Sequence, residues 1–158
     1  MRREPSHCNG PTAVADLLVY PDMTMVARKY LLAGLAEQGI VGVTVASRIP
    51  SPLPEWFIRC FALPGAETCK RVQWCQVIVQ VYGTSDEFCS QMARICAAVM
   101  RNAPEMELDF FDTGEKMSLV SEPCELNGPA PSEDPDLPDW PVYRFAVTWT
   151  VQNQLWMP

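Results

Sequence analysis

Residues 71–103 constrain the fold more than any other stretch of this chain. Val72-Gln73-Trp74-Cys75-Gln76-Val77-Ile78-Val79-Gln80-Val81-Tyr82 is an apolar, β-branched run with alternating polarity. Cys75, Val77, Val79 and Val81 fall on one face, and Gln76 and Gln80 on the other. That pattern predicts a long strand with one dry face and one partly wet face. Gly83 breaks the run and Thr84-Ser85-Asp86-Glu87 opens a helix at once. Thr84 followed three residues later by Glu87 is a capping-box pattern. Phe88, Met92, Ile95 and Val99 then follow at i, i+4, i+7 and i+11, the apolar stripe of an amphipathic helix running to about residue 102. A strand feeding a helix that lies back on its own sheet is the centre of a compact α/β unit. No catalytic group sits in it, which points toward an assembly component rather than an enzyme.

The rest of the chain fits around that centre. At 158 residues it is long enough for one domain with a substantial core. Residues 1–19 form an N-terminal arm, 20–153 a single domain and 154–158 a C-terminal tail. Asp22 is the expected N-cap of a first helix, with Met25, Val26, Leu32, Leu35 and Ala36 at three- and four-residue steps and Gly39 at its end. Strands are expected at 40–47 and 55–63, separated by the proline-rich 50–54 loop. Residues 64–70, with Pro64 and Gly65, should form the hairpin loop into the long strand. Residues 105–114 suit a short strand or an extended loop. Residues 116–126 form a strand interrupted at Pro123, and 127–140 a long acidic loop, because Pro129, Pro131, Pro135 and Pro138 exclude regular structure. The last strand, 142–152, sends Tyr143, Phe145, Val147, Trp149 and Val151 one way and Arg144, Thr148, Thr150 and Gln152 the other. The fold class is therefore α+β: a mixed or antiparallel sheet of about five strands with two helices on one face, in the order α-β-β-β-α-β-β.

Composition narrows the function. A hydrophobic fraction of 48% and a charged fraction of 20% are those of a globular chain. No run of 18 apolar residues is present, so no transmembrane helix or membrane partner is expected. Arg2 and Arg3 are followed by Glu4, Pro5 and His7 with no apolar stretch, so no signal peptide is expected and the protein acts where it is made. Seven cysteines without a C-x-x-C suit free thiols in a reducing cytosol. His7 is the sole histidine and sits beside Cys8, without metal partners at usable spacing. Triads built on histidine are thereby disfavoured. Glu107, Asp109 and Asp112 suit solvated acids better than a paired-carboxylate site. There is no phosphate-binding glycine motif, and no cofactor is expected. Cys89 and Cys96 share a helix face and suit core packing. Trp140 and Trp156 flank the last strand and are candidate interface anchors.

Charge is divided along the chain. Residues 1–104 hold ten Lys/Arg and eight Asp/Glu, whereas 105–139 hold eleven Asp/Glu and only Lys116 as a base. Such a layout disfavours nucleic-acid binding by a basic surface and suits contact between unlike faces of neighbouring subunits, although a solvated acidic loop has the same composition.

Several features together resemble the tail terminator proteins of phages with long non-contractile tails. They are the Tyr20-Pro21-Asp22 helix start, the Val41-Gly42-Val43-Thr44-Val45 strand and the Pro50-to-Pro54 segment. The Gly83-Thr84-Ser85-Asp86-Glu87 helix start, the Gly128-Pro129 turn and the final Tyr143-Arg144-Phe145-Ala146-Val147 strand complete the set. The likeness covers residues 20–153 and lies in element order and punctuation. The cysteine-rich helix and the very acidic loop depart from it. The resemblance implies a non-enzymatic virion protein at the tail–neck junction, assembled in the host cytoplasm as a homo-hexameric ring. Such a ring ends tail-tube polymerisation, contacts the major tail tube protein below and a head-side neck or connector protein above, and lets DNA pass without specific binding. The alternatives are another neck ring, of the tail-completion or stopper kind, and an unrelated small α+β ligand-binding domain. Within the ring reading, Glu133, Asp134, Asp136 and Asp139, with Trp140, are the expected contact residues. They either meet a neighbour's Arg48, Arg59, Lys70 and Arg71 or line the channel.

Overall fold

A computed structural model describes residues 17–155. The arm residues 1–16, with His7 and Cys8, and Trp156 lie outside the described residues. The first element is β1 (Leu18–Val19), followed by α1 (Met23–Glu37). Asp22 caps α1 as the sequence indicates, its carboxylate accepting from the Met25 N–H at 3.2 Å. Gly39 closes it at φ +78°, in the left-handed region that glycine reaches without a Cβ penalty. Next come β2 (Val45–Ala46), β3 (Phe57–Cys69), β4 (Val72–Tyr82) and α2 (Asp86–Arg101), then a 3-10 turn at Ala103–Glu105. The chain finishes with β5 (Val120–Ser132), β6 (Val142–Gln152) and β7 (Gln154–Leu155). Ser85 rather than Thr84 is the α2 cap, its hydroxyl accepting from the Phe88 N–H at 3.2 Å.

Five strands form one mixed sheet in the order β2-β3-β4-β6-β5, parallel only between β2 and β3. Both helices pack on one face, as the α+β reading requires. Leu18–Val19 of the arm and Gln154–Leu155 of the tail pair antiparallel in a separate two-stranded sheet. The main core joins Val77, Val79 and Val81 of β4 and Phe145, Val147 and Trp149 of β6 to Val26, Tyr30, Leu31 and Leu35 of α1 and Met92, Cys96 and Val99 of α2. The Trp149 indole donates to the Met100 carbonyl at 3.1 Å, so its one polar atom is not left unpaired in the core. The helices cross at Gly34, where an added Cβ would fall 2.1 Å from Val99 Cγ1.

Four expectations are corrected. Residues 64–70 are not a loop: β3 continues to Cys69 and only Lys70 and Arg71 turn the hairpin. Residues 127–132 are not excluded from the sheet, because β5 runs through Pro123, Pro129 and Pro131 to Ser132 and pairs with β6. In both cases the prolines occupy exposed edges with register shifts beside them, at Pro64/Glu67, Ser121/Cys124 and Asn127/Ala130. An outer strand tolerates a missing N–H, and a bulge lifts residues out of the ladder. The strand expected over 40–47 shrinks to Val45–Ala46. The free-thiol reading fails for Cys69, which is disulfide-bonded, and holds for Cys60, Cys75, Cys89, Cys96 and Cys124.

Candidate interaction surface

The face of the sheet away from the helices divides into two parts. At one end the 47–56 and 133–141 loops fold over it. Phe57, Tyr82 and Val142 are buried there, with Ile49, Leu137 and Trp140 packed against them. Phe57 stacks on Tyr82 with ring centroids 4.4 Å apart, and Trp140 lies tilted on Phe57 at 5.7 Å. Trp140 is thus an anchor within its own subunit.

The acidic loop is tied down by its one buried acid. Asp134 Oδ2 accepts from the Tyr82 hydroxyl at 2.5 Å, and Oδ1 accepts from the Asp136 N–H at 2.9 Å. The Tyr82 hydrogen bond holds the Asp134 carboxyl below its ordinary range, helped by the Asp136 N–H and the Arg59 guanidinium. Burial first, and the Asp134 hydrogen bond second, push the Tyr82 hydroxyl up to about 12. Arg59 donates from Nε to the Ser47 carbonyl at 3.2 Å and from Nη1 to Gln80 Oε1 at 3.4 Å, with its carbon Cζ 4.9 Å from the Phe61 ring centroid. Asp134 therefore has a base of its own chain, Arg59, close by, in addition to its Tyr82 partner.

The other predicted contact residues separate. Glu133, Asp136 and Asp139 are exposed on the loop, and Arg48 is exposed beside Ser47. Lys70 and Arg71 lie at the far end of β4, roughly 33 Å from Tyr82 at about 3.3 Å per residue. There Asn153 clamps the turn, its Nδ2 donating to the Lys70 carbonyl at 2.9 Å and its backbone N–H to that of Arg71 at 2.8 Å.

Beyond the loops the same face buries Ile78 between Phe61 and Ala146 but is otherwise more open. Leu63 of β3 and Trp74 of β4 are each 44% exposed. The Trp74 ring lies across Gly65, where an added Cβ would come within 2.2 Å of it. Arg144 of β6 stands opposite Gln80, exposed and without an ion pair or side-chain hydrogen bond among the described residues. Strands β4 and β6 contain no carboxylate; the acids on this side come from Glu125 of the outer strand, opposite Thr148, and from the 133–141 loop, where Asp134 meets Tyr82.

On the helix side one groove is acidic. A groove of about 580 Å³ runs between the C-terminal halves of α1 and α2 and the 105–108 segment. Ile95, Val99 and Leu108 give it apolar walls, and Glu37, Glu105 and Glu107 are its only charged lining residues. Lys29 is drawn elsewhere, donating to the Phe110 carbonyl at 2.7 Å. Neither this groove nor Arg144 stood out in the sequence. Glu37 lies far along the chain from Glu105 and Glu107, whereas the lack of acids in β4 and β6 is visible in the sequence.

The remaining chemistry-bearing residues have structural settings. Asp109 accepts from the Gly114 N–H at 2.8 Å and the Thr113 N–H at 3.0 Å, which hold its carboxyl below the ordinary range. A general acid needs the reverse. Burial pushes the thiols of Cys60 and Cys96 up to about 12, and those of Cys75 and Cys89 to about 11. Among the described residues, no group of three or more His, Cys, Asp or Glu is placed to hold a metal ion, and no helix is long and apolar enough to cross a membrane. No protein-family model and no curated protein matches the chain, so the functional reading rests on these surfaces.

Proposed function

We propose that this chain is a structural, ring-forming subunit of a long-tailed phage, acting as the tail terminator. One observation carries most of the weight: a sheet face whose two central strands, β4 and β6, hold no acid and expose Arg144, and an acid-lined groove, lie on opposite sides of one small domain. Unlike surfaces on opposite sides satisfy each other only head to tail, and head-to-tail contacts lead to closed rings or filaments rather than two-fold dimers. The element order, which resembles that of tail terminators, supports the ring over the filament. In this reading six copies cap the tube of major tail protein, offer their other side to a head-side neck protein and leave a channel for DNA. The exposed acids Glu133, Asp136 and Asp139 stand at a neighbour contact or on the channel wall; Asp134 is committed to Tyr82. The test is to add the purified protein to polymerising tail-tube subunits and follow tube length by electron microscopy. Arrested tubes carrying a six-subunit cap are the expected result, and unchanged length distributions without bound protein would remove the proposal.

A further inference from the structure

The reading of the chain as a ring subunit leaves open which surfaces meet. We infer that the open sheet face of one copy seats on the helix-side acidic groove of the next, with Arg144 directed at Glu105 and Glu107. The inference rests on the ring reading in one respect only, that a second copy of this chain is the occupant.

Three observations lead to it. Arg144 is an exposed cation with no ion pair or side-chain hydrogen bond among the described residues, and neither β4 nor β6 offers it a carboxylate. The carboxylates of Glu37, Glu105 and Glu107 likewise make no hydrogen bond or ion pair among the described residues, and no base lines their groove. Both surfaces also have apolar ground: Leu63 and Trp74 further along the sheet face from Arg144, level with Thr148 and Thr150, and Ile95, Val99 and Leu108 in the groove. Paired charges beside buried apolar area are what a specific contact requires, the charges fixing orientation and the apolar surface contributing most of the affinity. Since one surface lies on the sheet and the other on the helices, the contact is heterologous. It leaves one unlike surface free at each end until a ring closes.

The experiment is charge reversal and restoration on the full chain, read by sedimentation velocity and native mass measurement, with and without tail tubes. Arg144→Glu should weaken self-association at least tenfold, and so should Glu105→Arg combined with Glu107→Arg. The triple variant should recover most of the loss, and the wild-type association should weaken as salt rises. Melting temperature controls for folding, and a second measurement does not depend on it. A bismaleimide should link Thr148→Cys protein to Ala98→Cys protein, while Thr148→Cys protein alone should not link to itself. If wild type associates but neither reversal nor cross-linking behaves this way, the assignment of faces is wrong and the ring reading stands. If wild type stays monomeric even on tail tubes, both fall.

Discussion

The two faces of the central sheet are built from the same alternating strands and differ in what covers them. Toward the helices, Val77, Val79, Val81, Phe145, Val147 and Trp149 are all 1% exposed or less, under two helices that cross at a glycine. On the other face, burial is local. Phe57, Tyr82 and Val142 are dry because two loops close over them, while Leu63 and Trp74 remain 44% exposed along the same strands. A period of two along a strand separates its faces but does not say how much of each is covered. Here one cover is a packed layer, and the other is a pair of loops held by a stacked aromatic pair and one buried carboxylate.

The largest expected effect breaks the covered face. Val79→Asp places an unpaired charge where the side chain is wholly buried and should cost about 4 kcal/mol or prevent folding. Thr148→Asp, on the open face, should change stability by about 0.5 kcal/mol or less. Urea unfolding of the pair would remove the distinction if the two midpoints shifted equally. Next comes the loop-covered end. Phe57→Ala should cost about 3 kcal/mol and free the 133–141 loop, seen as faster amide exchange there than in α1.

Tyr82→Phe is smaller, about 1.5 kcal/mol at neutral pH, because it removes a hydrogen bond to a carboxylate. Its sign with pH follows from the Asp134 carboxyl, held below its ordinary range in the folded state. That contribution is complete above the unfolded carboxylate pKa and is lost as pH falls through the folded value. The gap between wild type and Tyr82→Phe should therefore be full at pH 7 and shrink on acidification. A gap that grew in acid would refute the latch. Smallest of all, Cys96→Ala should cost about 1 kcal/mol. Cys60 and Cys96 should resist iodoacetamide until urea unfolds the chain, as mass spectrometry would show.

Both helices, the long fourth strand and the last strand were legible in the sequence, because caps and periodicities are local. Asp22, Gly39 and the Val77–Val79–Val81 alternation carry their meaning within a few residues. What was not legible depends on position in the sheet. Pro64, Pro123, Pro129 and Pro131 look like breakers along the chain, yet they are tolerated because their strands run along exposed edges. Asp134 looked like one acid among four; its partner Tyr82 lies 52 residues away, and nothing local announces the hydrogen bond. The contact set expected from the sequence thus divides into an internal latch of Asp134, Arg59 and Trp140 and an exposed remainder.

The prolines at the sheet edges have a consequence for how copies of this chain avoid one another. Open edges invite other chains to extend the sheet, the usual start of aggregation. Here Pro123, Pro129 and Pro131 remove three donors from the β5 edge. At the β3 edge Ile58 and Arg59 are already paired by β2, the Ala62 N–H donates to Thr24 Oγ1 of α1 at 3.0 Å, and Pro64 has no N–H to offer. Strand-by-strand growth is obstructed at both margins, so crowding this protein favours meetings through its faces over fibrils.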